Sequence, residues 1–179
     1  GTLIDIDGTH SGTPTYSMGQ DNKYQGALQF NGINDYISLD SNNNQIKNSF
    51  HQTSFSIGVW VKFHRTGNEG ETIFCLYQAE STNNQILLQR LSNKIRFTFY
   101  NNNLDISNDY YSESNWNYIV ATYDHYSQKK SLYINGVLGG TNTSGTPSVS
   151  TATKCFIGQN FETYNTYTWT HDYTGGFDE

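Results

Sequence analysis

Residues 2–10 read Thr-Leu-Ile-Asp-Ile-Asp-Gly-Thr-His, and the carboxylates at their centre, Asp5 and Asp7, are the first side chains spaced for chemistry. At the end of an apolar strand such a pair can transfer phosphate. Asp5 would attack phosphorus, Asp7 would act as general acid and base, and Mg²⁺ would bridge them. That mechanism demands a parallel α/β sheet, a lysine and a second acidic pair further on. Residues 11–26 instead hold glycines, serines and a proline and lead into more strand-like sequence, and no later pair of adjacent aspartates ends an apolar run. A five-residue match in that setting is read as chance or a different metal role, not as a phosphatase nucleophile.

The other reactive residue types are dispersed. His10, His51, His64, His125 and His171 show no i, i+2 or i, i+4 pairing, so spacing gives a zinc site little support. No Gly-x-Ser-x-Gly elbow occurs. Cys75 and Cys155 each sit inside an apolar run, which fits a buried disulfide of a secreted protein and a pair of inert core thiols equally well. Asn142-Thr143-Ser144 is an N-glycosylation sequon in the Ser/Thr-rich residues 141–153, a stretch that reads as a surface loop and permits a secreted setting.

The elements that must position these residues are strands. Of 179 residues, 14 are Tyr and 10 Phe, with a single Met, so the core rests on aromatic and β-branched side chains. Charged residues are only 15%, leaving a surface of Asn, Ser, Thr, Gln and Tyr, which favour turns and strands over helix interiors. A net charge of -6 with scattered Lys and Arg excludes an electrostatic footprint for nucleic acid or anionic lipid. No apolar run approaches the roughly 20 residues of a membrane span, so membrane insertion is not expected. No charged-then-apolar leader opens the sequence, as expected of a processed chain or an excised piece. The length predicts one domain, residues 1–179, with one core.

Alternation of period two runs through the chain. In residues 54–63, Phe55, Ile57, Val59, Val61 and Phe63 share one face, and Ser54, Ser56, Gly58, Trp60 and Lys62 the other. Residues 116–124 alternate Trp116, Tyr118 and Val120 against Asn117, Ile119 and Ala121, and residues 131–137 alternate Leu132 and Ile134 against Tyr133 and Asn135. Further strands are read at 27–30, 36–39, 71–77, 85–91, 94–100, 104–107, 154–159 and 175–179. Turn dipeptides such as Asn31-Gly32 and Asn135-Gly136 separate them, and only residues 43–52 suit a helical turn. About ten short strands with such turns predict an all-β, two-sheet antiparallel sandwich or jelly roll.

The ordered segments ALQFNGINDYISL, SFSIGVWVKF, WNYIVATYD, LYINGV, CFIGQNF and GGFDE, spanning residues 27–179, resemble the laminin G-like branch of the concanavalin A-like lectin/glucanase superfamily. The resemblance implies a concanavalin A-like jelly roll, extracellular or on a cell surface, usually one module of a longer chain. It implies a non-catalytic module that binds a glycan or an extracellular protein, or a structural block that self-assembles into an adhesin, sheath or filament. In this family the pattern carries several more apolar residues of the last strand, so a shortened final strand is expected. The resemblance also implies a structural calcium ion held by the Asp178 carboxylate and the Gly32 carbonyl, with Asp5 or Asp7 as the N-terminal contributor. The superfamily's glucanases use two glutamates flanking an aspartate on one strand; Glu69 and Glu71 come nearest, around Gly70 at a turn, with no third carboxylate.

Glycan recognition needs an aromatic plane and flanking polar groups. Tyr167, Trp169, His171 and Tyr173 alternate with Thr168, Thr170 and Asp172 in an insertion between two family motifs and form the first candidate platform. Tyr110 and Tyr111 with Asn101, Asn102 and Asn103 form the second. The plainer alternative for the first is an extra hairpin packed on the sandwich. Trp116 is assigned to the core.

Overall fold

The alternating segments form strands in a computed structural model of the chain, which describes residues 8–39, 43–63, 70–78, 83–112, 114–143, 145–159, 161–164, 167–170 and 175–178. In chain order the strands are β1 (Thr9–Ser11), β2 (Thr15–Ser17), β3 (Ala27–Gln29) and β4 (Tyr36–Ser38). After the helix α1 (Asn43–Phe50) come β5 (Phe55–Phe63), β6 (Gly70–Tyr77), β7 (Gln85–Leu91), β8 (Lys94–Thr98) and β9 (Asn103–Ser107). There follow β10 (Trp116–Asp124), β11 (Lys129–Ile134), β12 (Val137–Thr143), β13 (Lys154–Ile157), β14 (Phe161–Tyr164), β15 (Tyr167–Thr170) and β16 (Gly175–Asp178).

Two seven-stranded antiparallel sheets stack face to face. The first runs β1-β4-β13-β6-β7-β8-β9 and the second β12-β11-β10-β5-β16-β3-β2; β14 and β15 make a separate two-stranded ladder. Crossovers such as β4 to β13 and β5 to β16 are what a jelly roll requires. The inner faces meet in one core, with Val61, Phe63, Ile119, Ala121, Leu132 and Ile134 of the second sheet against Leu76, Ile86, Leu88, Ile95, Phe97 and Leu104 of the first. Phe55, Phe97, Phe99 and Tyr123 form an aromatic knot with ring centroids 5.0 to 6.3 Å apart. The helix sits where the sequence suggests one, burying Ile46 and laying Phe50 against Phe55 and Phe74.

One margin of the sandwich is sealed. There β9 lies against β12, and only glycine allows the approach: a Cβ on Gly139 would stand 2.7 Å from Ile106 Cγ2, and one on Gly140 2.8 Å from Ile106 Cδ1. β12 itself corrects the sequence reading, because Asn142 belongs to this strand rather than to a surface loop. Its side-chain amide donates to the Asn103 carbonyl at 2.8 Å, and its Oδ1 is buried.

Strand register also decides between the two readings of the cysteines. Cys75 pairs with Phe156 and Cys155 with Leu76, so the two residues are offset by one. Their side chains therefore leave opposite faces of the first sheet, Cys155 toward the core with Leu76. Both are buried thiols, and that divergence rules out a disulfide between them without moving the backbone.

Candidate functional site

β10 lies between β5 and β11, hydrogen-bonded on both sides, so every second residue must face out of the sandwich. The core takes Asn117, Ile119, Ala121 and Tyr123; the outward set is Trp116, Tyr118, Val120 and Thr122. Register sets Tyr118 directly opposite Trp60 of β5, with ring centroids 5.1 Å apart at 36°, and Trp116 opposite Lys62. Tyr133 of β11 stands opposite Val120, one diagonal step from Tyr118, and pairs in turn with Leu138 of β12. The result is an aromatic row across three strands that Leu138 continues onto a fourth, with Tyr118 38% and Leu138 48% exposed and Trp60, Trp116 and Tyr133 half-buried. Trp116 is thus on the outer surface, not in the core as the sequence reading had it.

The row is held in place from beneath. Gly58 leaves room for the tyrosine, whose Oη is 3.0 Å from where a Cβ on residue 58 would lie. Asn135, in the left-handed region with φ 53°, and Gly136 close the β11–β12 hairpin as the Asn-Gly signal predicts. Asn135 Oδ1 accepts the Tyr118 N–H at 2.9 Å, and its Nδ2 donates to Asn117 Oδ1 at 3.3 Å. Asn117 is 1% exposed; its Nδ2 donates to the Ser112 and Asn115 carbonyls at 2.7 and 2.8 Å, and its Oδ1 accepts the Ser112 N–H at 3.0 Å. Two asparagines therefore fix the start of β10, its preceding loop and the hairpin tip as one unit.

The other sequence candidates lie elsewhere in the chain. Tyr111 is 9% exposed and meets Phe63 edge-on at 5.5 Å, so its ring is spent in the core, while Tyr110 on the adjoining 3-10 turn is 39% exposed. Tyr167 and Trp169 lie on β15, opposite Tyr164 and Glu162 of β14. The backbone there forms a two-stranded antiparallel hairpin. His171 and Tyr173 lie outside the described residues, as do Asp5, Asp7 and Glu69.

Of the implied calcium ligands, Gly32 and the backbone of Asp178 lie within the described residues. Register places Asp178 between Ala27 and Trp60, whereas Gly32 stands five positions on from Ala27, past the far end of β3. The turn at Gly32 is organised by side chains already present. Asp35 Oδ1 accepts the Thr13 N–H at 2.7 Å and its Oδ2 the Asn31 N–H at 3.0 Å, while Asn31 Oδ1 accepts the N–H groups of Ile33 and Asn34 at 2.8 and 3.1 Å. Among the described residues no group of three His, Cys, Asp or Glu side chains converges on a metal position.

The buried charges serve the fold. Glu71, the nearest approach to a glucanase carboxylate, accepts from Arg90 Nε; both side chains are 1% exposed, with Arg90 over the Phe63 ring. Lys130 donates across the core to the Phe97 and Asn102 carbonyls, 4.8 Å above the Phe99 ring. Burial lowers its pKa from 10.5 to about 7 against the opposing charge of Asp105. Asp105 is itself held below the usual carboxylate range by hydrogen bonds from Arg96 and Lys94.

Two stacked antiparallel sheets with jelly-roll crossovers define a sandwich of the lectin and laminin G type. Solved structures with this architecture include the CBM40 of the Ruminococcus gnavus IT-sialidase bound to α2,3-sialyllactose, with TM-score 0.63 and 13% identity over 85% of this chain and 86% of that one. Domain 4 of AbnA, a GH43 extracellular arabinanase from Geobacillus stearothermophilus in complex with arabinotriose, gives 0.63 and 19% over 96% and 79%. Domains LG4-5 of the mouse laminin α1 chain give 0.63 and 15% over 98% of this chain and 44% of that one, so this chain spans less than half of the laminin fragment. At these identities the likeness is one of fold. Among curated proteins, no sequence matches. The chain belongs to the concanavalin A-like lectin/glucanases superfamily, through a laminin G family model that matches residues 30–179.

Proposed function

We propose that the protein is a non-catalytic, extracellular carbohydrate-binding module whose glycan lies along the outward aromatic row of the second sheet. The observation that carries this reading is the Trp60–Tyr118 pair, flanked by Trp116 and Tyr133. Aromatic rings are presented on a rigid sheet, where the apolar C–H face of a pyranose can stack. The residues around the row supply hydroxyl, amide and ammonium groups for sugar hydroxyls: Ser56 and Thr122 on one flank, Asn115 and Lys62 on the other. Support also comes from the structural relatives, several of which hold sialyllactose or arabinotriose.

The test is a glycan array followed by titration of the best oligosaccharide. Trp60→Ala and Tyr118→Ala should each weaken binding at least about tenfold, about 1.4 kcal/mol, with the unfolding midpoint little changed. Trp169→Ala should leave affinity unaltered. Loss of binding in Trp169→Ala alone would move the site to the β14–β15 hairpin, and no binding at millimolar sugar by any variant would refute the reading.

A further inference from the structure

Beside the aromatic row, strand register builds a second row on the same outward face, made of hydroxyls. Ser56 of β5 stands opposite Thr122 of β10, Thr122 opposite Ser131 of β11, and Ser131 opposite Thr141 of β12. Their sequence neighbours Phe55, Tyr123 and Lys130 turn into the core and Asn142 toward Asn103, so alternation sends all four hydroxyls out of the sandwich. Ser56 and Thr141 are exposed, Thr122 is half-buried, and Ser131 sits lower between its two partners.

The way Tyr118 lies couples the two rows. Its ring reclines over Gly58, with Oη 3.0 Å from where a Cβ on that residue would be, so the ring follows the sheet instead of standing up from it. At 36° to Trp60 the pair presents a shallow plane, and the phenolic edge points along β5 toward Ser56. Ser56 precedes Gly58 by two residues, about 7 Å. A sugar stacked on the tyrosine therefore brings its hydroxyl-bearing rim to Ser56 and Thr122, whose own hydroxyls can both donate and accept. With Leu138 the aromatic row, like the hydroxyl row, crosses four strands; three strand spacings are roughly 14 Å, room for about three sugar rings.

Charge is confined to the two ends of this face. Lys62 stands opposite Trp116 at one end and Asp124 opposite Lys129 at the other. Between them, the described residues of β5, β10, β11 and β12 put no ionised side chain outward. A carboxylate or sulfate held over the middle would give up hydration and meet no counter-charge. A branch on the stacked side of a sugar would hold its ring off the plane.

We propose that this face selects an uncharged, unbranched glycan laid across the strands, its flat side on the aromatic row and one edge along Ser56, Thr122, Ser131 and Thr141. This assignment rests on the aromatic row being the binding surface, and adds the class of sugar and the direction in which it runs.

Isothermal titration tests it with linear neutral hexasaccharides of glucose, mannose and galactose, shorter oligomers of the best binder, its C6-carboxylate form, and α2,3-sialyllactose. The best neutral chain should bind at least about tenfold more tightly than either acidic sugar. Its affinity should climb from disaccharide to tetrasaccharide and change little between low and high salt. Thr122→Val with Ser131→Ala should weaken it at least about threefold at an unchanged unfolding midpoint, and Gly58→Ala, which lifts the Tyr118 ring, should weaken it too. Equal or tighter binding of an acidic sugar that Trp60→Ala abolishes would overturn the proposed class and leave the site standing, as would full affinity in the Thr122 and Ser131 variant. Binding that survives both Trp60→Ala and Tyr118→Ala, or no binding of any of these sugars, would remove site and class together.

Discussion

Arg90 and Glu71 illustrate how a charge can be a liability that geometry holds in check. Two ions at 1% exposure have lost their hydration and pair with each other, the guanidinium also lying over the Phe63 ring and donating through Nη1 to the Ser92 carbonyl at 3.1 Å. Glu71→Gln would remove the carboxylate paired with that buried guanidinium and should cost about 3–5 kcal/mol in urea unfolding, whereas Glu71→Gln with Arg90→Met should recover much of it. Lys130 makes a prediction about pH. The folded form gives up its proton near pH 7, the unfolded form near 10.5, so between these values the unfolded chain binds more protons and stability must rise with pH. Below about 7 both states are protonated and the full burial penalty stands. Thermal melts from pH 7 to 10 should show this rise, and Lys130→Met should flatten it. Neither burial was legible in the sequence, where Glu71 follows a turn and Lys130 sits beside Lys129 as surface residues do. What buries them is the opposite sheet, which local sequence does not reveal.

Among the elements, β5 and β10 mark the boundary of what alternation can tell. In β5 one face is wholly apolar and the other carries serine, glycine and lysine, so the buried side is evident. In β10 one side offers Trp116, Tyr118 and Val120 and the other Asn117, Ile119 and Ala121. Hydrophobicity favours the wrong one for Trp116. The asparagine is buried because it ties Ser112, Asn115 and Asn135 together, a demand set by the hairpin and loop and not by β10 itself. The candidate site was therefore present in the sequence as a period but not as a side. Most other strands and the helix α1 fall where the turn signals put them. β12 was partly hidden because Gly139, Gly140 and a Thr/Asn-rich end look like loop. Those glycines are there for Ile106, and Gly140→Val should overpack the sealed margin by about 1–3 kcal/mol, read as a lower denaturation midpoint with unchanged glycan affinity.

For the molecule as a whole, the family pattern predicts the two-sheet sandwich, and the resemblance holds over residues 30–179. The calcium expectation is a matter of which distant segments meet, and Asp5 and Asp7, its N-terminal contributors, lie outside the described residues. A chelator tests it: a fall of several degrees in the melting temperature is what removing a saturating, stabilising ion would give, and a shift of less than about 1 °C would count against one. The placement of β16 has a mechanical consequence. This last strand runs through the interior of the second sheet, bonded to β5 on one side and β3 on the other. A pull transmitted through that end loads both ladders lengthwise, so their hydrogen bonds must yield together rather than unzip one at a time from a rim. A module gripped at that end and holding its target on the neighbouring strands would resist tension where an edge-anchored one would peel.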